Sequence, residues 1–264
     1  MSVRLSASGR TDAGRVRGHN EDSFEIDREH ELYVVADGMG GHSHGEVASR
    51  MAVEAIRGFV SEAEGEKEAT WPFAYDPHLQ RHSNVLKAAV RLAHDQVLSA
   101  IRRDGNLYGM GTTVVACLVR EGTAAVAHVG DSRAYRLHGA ELERLTEDHT
   151  WVNEQVVAGF LSEEQARDHP LKNVVTRALG GDSEVRIELS EVEIEPGDTL
   201  LLCSDGLTTM LDDPEIERHL EGVKNGDLDA ACDALVEEAN TRGGHDNVTV
   251  VLVKAETAGE DAAG

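Results

Sequence analysis

Short valine- and leucine-rich runs that stop at an aspartate, several with glycine beside it, constrain this chain more than any other feature. LYVVAD (Leu32–Asp37) opens into GMGG, AHVG leads into Asp131, and TLLLCSD (Thr199–Asp205) precedes Gly206. Asp246 stands in GGHDN just ahead of NVTVVLVK (Asn247–Lys254), and Glu21 and Asp22 are adjacent in HNEDSF before the first of these runs. Runs of this length, bounded by Gly, Asp or Ser, predict β-strands. Further strands are expected over Thr112–Val119, over Ala124–Leu137 as one continuous run, and over Val185–Ile194. Apolar spacing near 3.6 predicts helices over Glu46–Val60, Asn84–Arg103 and Leu228–Asn240, with short helices across Trp151–Leu179. Two long helices together, a run of strands and one late helix do not alternate as βαβ units. They predict an α+β protein with helices layered on antiparallel sheets.

One aspartate at a strand end beside glycine is ordinary turn chemistry. The same arrangement at several strand ends suggests convergence. Two carboxylates ~4 Å apart repel by about 4 kcal/mol at an effective dielectric of 20. Three or more need a compensating cation, and an all-oxygen set without a Cys or His cluster selects Mg2+, Mn2+ or Ca2+. No DxDxDG loop of the EF-hand type occurs, and no HExxH. A dinuclear hydrolytic site acting at phosphorus suits such a set.

Composition narrows the partners. With 25 basic against 49 acidic residues the net charge is −24, which argues against nucleic acid or an anionic membrane surface. Aromatics at 4% also make a base-stacking surface a poor fit. Cys117, Cys203 and Cys232 form no CxxC, lie far apart and suit a reducing cytoplasm. No apolar leader or membrane span is read in the sequence. The length of 264 residues suits one large domain or two small ones, and a single catalytic domain is expected over 1–255. A short, acidic, disordered tail is expected over 256–264, and Ser61–Ser83 reads as a surface insertion between two helices.

GMGGHSHG lacks the GxxxxGK[ST] pattern, so its glycines read as a sharp turn into the helix at Glu46 or as a close backbone approach to a metal. His42 and His44 within it are the general-acid candidates. His19, His128, His149, His169 and His245 read mostly as surface groups or as supports behind the site residues.

Eight segments together resemble the metal-dependent protein phosphatases of type 2C in their bacterial form. In order they are GRVRGHNEDSF (Gly14–Phe24), VVADGMGGH (Val34–His42), GTTVV (Gly111–Val115), AHVGDSRAYRL (Ala127–Leu137), LTEDHTW (Leu145–Trp151), TRALGG (Thr176–Gly181), LLCSDGL (Leu201–Leu207) and GGHDNVTVVLV (Gly243–Val253). The resemblance implies a four-layer sandwich of two mainly antiparallel β-sheets flanked by α-helices. It implies two core Mn2+ or Mg2+ ions, with a third, weaker one. Asp37 would bridge the core pair, Asp205 and Asp246 would complete the first, and the Gly38 carbonyl, Glu21 and Asp22 would serve the second. Asp131 with Asp205 would hold the third, and Arg17 would clamp substrate phosphate. The implied reaction is hydrolysis of phosphoserine and phosphothreonine in proteins by a metal-activated water, opposing Ser/Thr kinases, which are themselves candidate substrates. A catalytically weak or inactive regulatory module of the same fold is the alternative. Met39 stands where some eukaryotic members carry a His directly after the Asp-Gly pair, which leaves His42 or a second water to protonate the leaving group.

Overall fold

The computed structural model describes residues 3–40, 44–65, 75–221, 223 and 226–257. Along the chain run β1 (Val3–Asp12), β2 (Asp22–Asp27), β3 (Leu32–Met39), α1 (His44–Gly65), α2 (Arg81–Arg103), β4 (Gly111–Thr112), β5 (Val114–Arg120) and β6 (Thr123–Val129). There follow β7 (Arg133–His138), β8 (Glu141–Arg144), α3 (Trp151–Val157), α4 (Glu163–Arg167), β9 (Glu188–Glu193), β10 (Thr199–Cys203), α5 (Asp205–Thr208), α6 (Asp213–Glu221), α7 (Leu228–Thr241) and β11 (Val248–Thr257). One sheet has the order β1-β11-β10-β7-β8, and the other β2-β3-β5-β6-β9 with β4 added beside β3. Neighbouring strands pair antiparallel throughout.

Side-chain alternation gives the central strands two buried faces. On β3, Leu32, Val34 and Ala36 pack with Ala52 and Ile56 of α1 and Leu86 of α2. Tyr33 and Val35 point the other way and pack with Leu200, Leu202, Val251 and Val253 of the facing sheet. Strand β11 repeats the pattern, with Val248, Val250 and Leu252 packed on Leu228, Cys232 and Leu235 of α7. Strands covered on both faces read as unbroken apolar runs, which is why the sequence displays them so clearly. The layers are helix, sheet, sheet, helix: the expected α+β sandwich.

Several boundaries differ from expectation. Ala124–Leu137 is two strands: β6 belongs to one sheet and β7 to the other, and the chain crosses between them at Gly130, whose φ is +110°. Helix α1 continues to Gly65 and α2 starts at Arg81, so the expected insertion is shorter than Ser61–Ser83, and residues 66–74 lie outside the described ones. Strand β11 runs through Thr257, into the expected tail, because β1 pairs with it over ten residues from Val3↔Thr257 to Asp12↔Val248. The strand expected from Val185 begins only at Glu188. Among the described residues no helix is long and apolar enough to cross a membrane.

Candidate metal centre

The aspartates meet at one edge of the sandwich. Asp22 and Asp37 face each other across the β2–β3 pair. Asp205 opens α5 directly after β10, Asp246 lies just before β11, and Asp131 sits in the β6–β7 crossing. Asp22 joins the two sheets: its Oδ2 accepts from the Ser204 hydroxyl at 2.8 Å and from the Thr249 hydroxyl at 2.6 Å. Its Oδ1, like Asp205 Oδ1, is buried with no hydrogen-bond partner among the described residues.

Charge is costly here. Burial, followed by the neighbouring Asp22, Asp205, Asp131 and Asp246, pushes the Asp37 carboxyl well above its ordinary value. Burial also pushes Asp22 up to about 7, against the lowering effect of its two hydroxyl donors, with Asp205 and Asp246 adding to the rise. Asp131 rises to about 8 through burial, Asp205 and Asp148. Asp205 rises to about 6 through burial and Asp246, an increase limited by the positive charges of Arg17 and Arg133. Arg133 is committed to Asp148 through two bonds of 2.9 and 2.7 Å. Arg17 Nη2 donates to Asp246 Oδ2 at 2.7 Å. One guanidinium on one acid leaves most of the cluster uncompensated. Buried carboxylates with unsatisfied oxygens are a donor set for a hard divalent cation.

The backbone is built for close approach. A Cβ on Gly38 would lie 2.2 Å from the Gly45 carbonyl oxygen and 2.5 Å from that of Glu21. Only glycine at 38 and 45 lets the start of α1 sit against the end of β3, with the Glu21 carboxyl carbon beside Gly45. Asn247 ties the 13–21 loop to the site: its Nδ2 donates to the Ala13 and His19 carbonyls, and its Oδ1 accepts the Glu21 N–H at 2.8 Å. Asp37 is fixed by Thr112 and Thr113. The Asp37 carbonyl accepts the Thr112 hydroxyl at 2.8 Å and the Thr113 N–H at 2.9 Å.

Asn247, Ser204, Thr249 and Thr113 were not among the residues singled out from sequence. All four lie within the eight family-like segments, Asn247 directly after Asp246 and Ser204 directly before Asp205. Arg17, expected as the phosphate clamp, lies on Asp246 at the rim of the cluster. His42 lies outside the described residues. Met39 ends β3 and is half-buried, and His44 begins α1. Of the two positions expected for His128 and His149, surface or support behind the site residues, burial leaves the second.

Comparisons with known proteins agree with this architecture. The family profile described as protein phosphatase 2C matches residues 14–248. The serine/threonine phosphatase Stp of Listeria monocytogenes is 38% identical over 257 residues, covering 95% of this chain and 96% of its own. The crystal structure of the Mycobacterium tuberculosis serine/threonine phosphatase PstP superposes with a TM-score of 0.84 at 35% identity, covering 97% of this chain and 100% of that one. A structure of the PstP catalytic domain in complex with two manganese ions gives a TM-score of 0.82 at 34% identity, covering 97% and 100% of the two chains. With the profile spanning most of the sequence and relatives matched end to end, this chain belongs to the metal-dependent protein phosphatase 2C family.

Proposed function

We propose that this chain hydrolyses phosphoserine and phosphothreonine in proteins, opposing Ser/Thr kinases in the cytoplasm, and that residues 1–255 form its single catalytic domain. The observation that carries the reading is the set of five aspartates brought from separate strand ends to one edge, with buried oxygens left unsatisfied. We assign Asp37, Asp205 and Asp246 to one Mn2+ or Mg2+ ion. Asp37, the Gly38 carbonyl and Glu21 would serve a second, with Asp22 supporting that shell, and Asp131 with Asp205 would serve a third, weaker ion. When bound, such ions supply Lewis acidity at phosphoryl oxygens and bring the pKa of a coordinated water from 15.7 to about 7.

The chain's own groups do the rest. Arg17, more than half exposed, reaches the cluster from the solvent side with further N–H donors beyond the one held by Asp246. A guanidinium there receives a phosphate dianion through charge-assisted bonds. Burial pushes the Cys203 thiol up to about 12, so it is no nucleophile at neutral pH. The neighbouring Ser204 is fully buried and donates its proton to Asp22. Both groups argue against a covalent phosphoenzyme and for direct attack by water. His42 is the proposed proton donor to the leaving alkoxide.

The test is phosphate release from a phosphothreonine peptide. The chelated protein should be inert, Mn2+ or Mg2+ should restore turnover, and zinc should not be required. Full turnover in excess chelator would sink the metal-dependent reading, and no turnover with either ion would favour the inactive module.

Arg17 separates binding from chemistry. Arg17→Ala should raise KM for the phosphopeptide about tenfold or more, with kcat changed less, since the contact exists in ground and transition states alike. Arg17→Lys should recover only part, because an ammonium lacks the planar two-point contact. An unchanged KM at saturating Mn2+ would overturn the clamp.

A further inference from the structure

Away from the aspartate cluster lies a second group of titratable side chains. His128 on β6 and His149, just before α3, are 4% and 3% exposed, and their rings stack at 4.7 Å between centroids and 17° between planes. Glu188 at the start of β9 brings a carboxylate to them, and the three ligand atoms lie within 4.8 Å of one another. Two histidines and a carboxylate suggest a metal site, but the geometry argues otherwise. Imidazole lone pairs lie in the ring plane, so two nearly parallel stacked rings hold theirs in separate planes, and one ion cannot lie in both. His128 Nε2 also faces the Glu147 carbonyl at 2.8 Å and spends its proton there.

What His149 does hold is a backbone. Its N–H donates to the Gly130 carbonyl at 3.0 Å, and its Nδ1 accepts the Gly130 N–H at 3.0 Å. Both polar groups of one glycine are thus gripped by one residue. With Nδ1 accepting, the ring proton sits on Nε2, which lies 3.2 Å from Glu188 Oε1 but is not aligned for a hydrogen bond to any described residue. That same oxygen accepts from Arg177 Nη1 at 2.8 Å. The His149 carbonyl in turn accepts the Thr176 N–H at 2.8 Å.

We propose that His149 is a positioning residue for Asp131: its double grip on Gly130, with the Glu188 carboxylate close beside its ring, holds the β6–β7 crossing that carries Asp131 toward Asp205. The crossing needs such a hold. Gly130 at φ +110° is the most permissive residue type in a conformation other residues rarely adopt, and Thr113 packs so tightly on it that a Cβ would lie 2.5 Å from the Thr113 Cβ. Asp131 is repelled by Asp205 and Asp148, so a loose loop would carry its carboxylate away from the cluster. Burial, the adjacent His128 and Arg177 push the His149 pKa down to about 4, which keeps the ring neutral and its Nδ1 lone pair available.

This rests on the reading that Asp131 serves the weakest ion site. The experiment is Mn2+ titration by calorimetry on wild type, Asp131→Ala, His149→Leu and His149→Asn, with kcat and KM on a phosphothreonine peptide. Asp131→Ala should lose the weakest binding step. His149→Leu should weaken that step and lower kcat by about ten- to a hundredfold, as is usual when a residue supporting a metal ligand is removed, with KM hardly moved. His149→Asn, whose Oδ1 takes the place of Nδ1 as acceptor, should return both to within about threefold of wild type. If His149→Leu fails to fold, Glu188→Ala should reproduce the loss and Glu188→Gln, which keeps an acceptor, should not. A weakest step unchanged in His149→Leu while lost in Asp131→Ala overturns the positioning role alone, as does His149→Asn no better than His149→Leu. Equal site counts in wild type and Asp131→Ala overturn the third-ion reading and this proposal with it.

Discussion

Asp37→Asn and Asp205→Asn should each lose at least about a thousandfold in turnover while folding normally, the size of effect expected when several kcal/mol of transition-state charge stabilisation is removed. Both replacements keep shape. Each removes a negative charge and puts an amide NH2 among the remaining carboxylates. Asp37 is surrounded by Asp22, Asp205, Asp131 and Asp246, so it is the position at which one lost charge is felt by every other acid. Asp205 has an orphaned buried Oδ1 that an amide cannot replace as an anionic ligand. Asp246→Asn should lose less. Its carboxylate is 36% exposed, and its two oxygens already accept from Arg17 and from the Asn247 N–H. The measurement is phosphate release after loading with Mn2+ and dilution, alongside circular dichroism to confirm the fold. A wild-type rate in either of the first two variants refutes their assignment, and an Asp246 variant worse than both would reverse the ranking.

How much of this was legible depended on where each signal lives. Asp37, Asp205 and Asp131 were marked by local chemistry, an acid where an apolar run stops beside glycine, and strand ends are where the fold gathers them. Their supports were not marked. Ser204 meets Asp22 across 182 residues of sequence, and Thr249 meets it across 227. A serine next to Cys203 looks like any strand-end serine until the two sheets are stacked. Strand β1, VRLSASGRTD, was missed because its place is secured by main-chain pairing with β11 and not by an apolar pattern. The break between β6 and β7 did carry a signal. Gly130 interrupts an otherwise unbroken run, and a glycine inside a strand pattern marks a bend or a close backbone approach. His149 was named only as one of several histidines on the surface or behind the site residues, because its partners Gly130 and Glu188 lie far off in sequence.

Stripped of divalent ions, the protein should become less stable as pH rises from about 6.5 to about 8.5. In the unfolded chain an aspartate titrates near 3.9. In the fold Asp205, Asp22 and Asp131 are pushed up to about 6, 7 and 8, and Asp37 rises well above its ordinary value. The folded state therefore holds protons that the unfolded chain has already released, and stability falls with pH until the folded groups have titrated. The buried histidines act in the opposite direction. His82, His94 and His128 are lowered and His149 drops to about 4, all chiefly by burial, so their effect favours the fold as pH climbs, is still half active at about 6.5 and is over by about 7.5. Above about 7.5 the carboxylates act alone, and their larger shifts dominate the whole window from about 6.5 to about 8.5. The melting temperature in chelator should fall by roughly 5 °C across it, about what a loss of a few kcal/mol gives in a domain of this size. Saturating Mn2+ should raise it at both ends and most at high pH, because a bound cation takes the place of the retained protons. Metal-free Asp37→Asn should melt higher than metal-free wild type at pH 8.5, since one source of repulsion is gone. A metal-free melting temperature that stays level or climbs through the window would mean that these carboxylates do not strain one another, and the electrostatic case for a cation among them would fail.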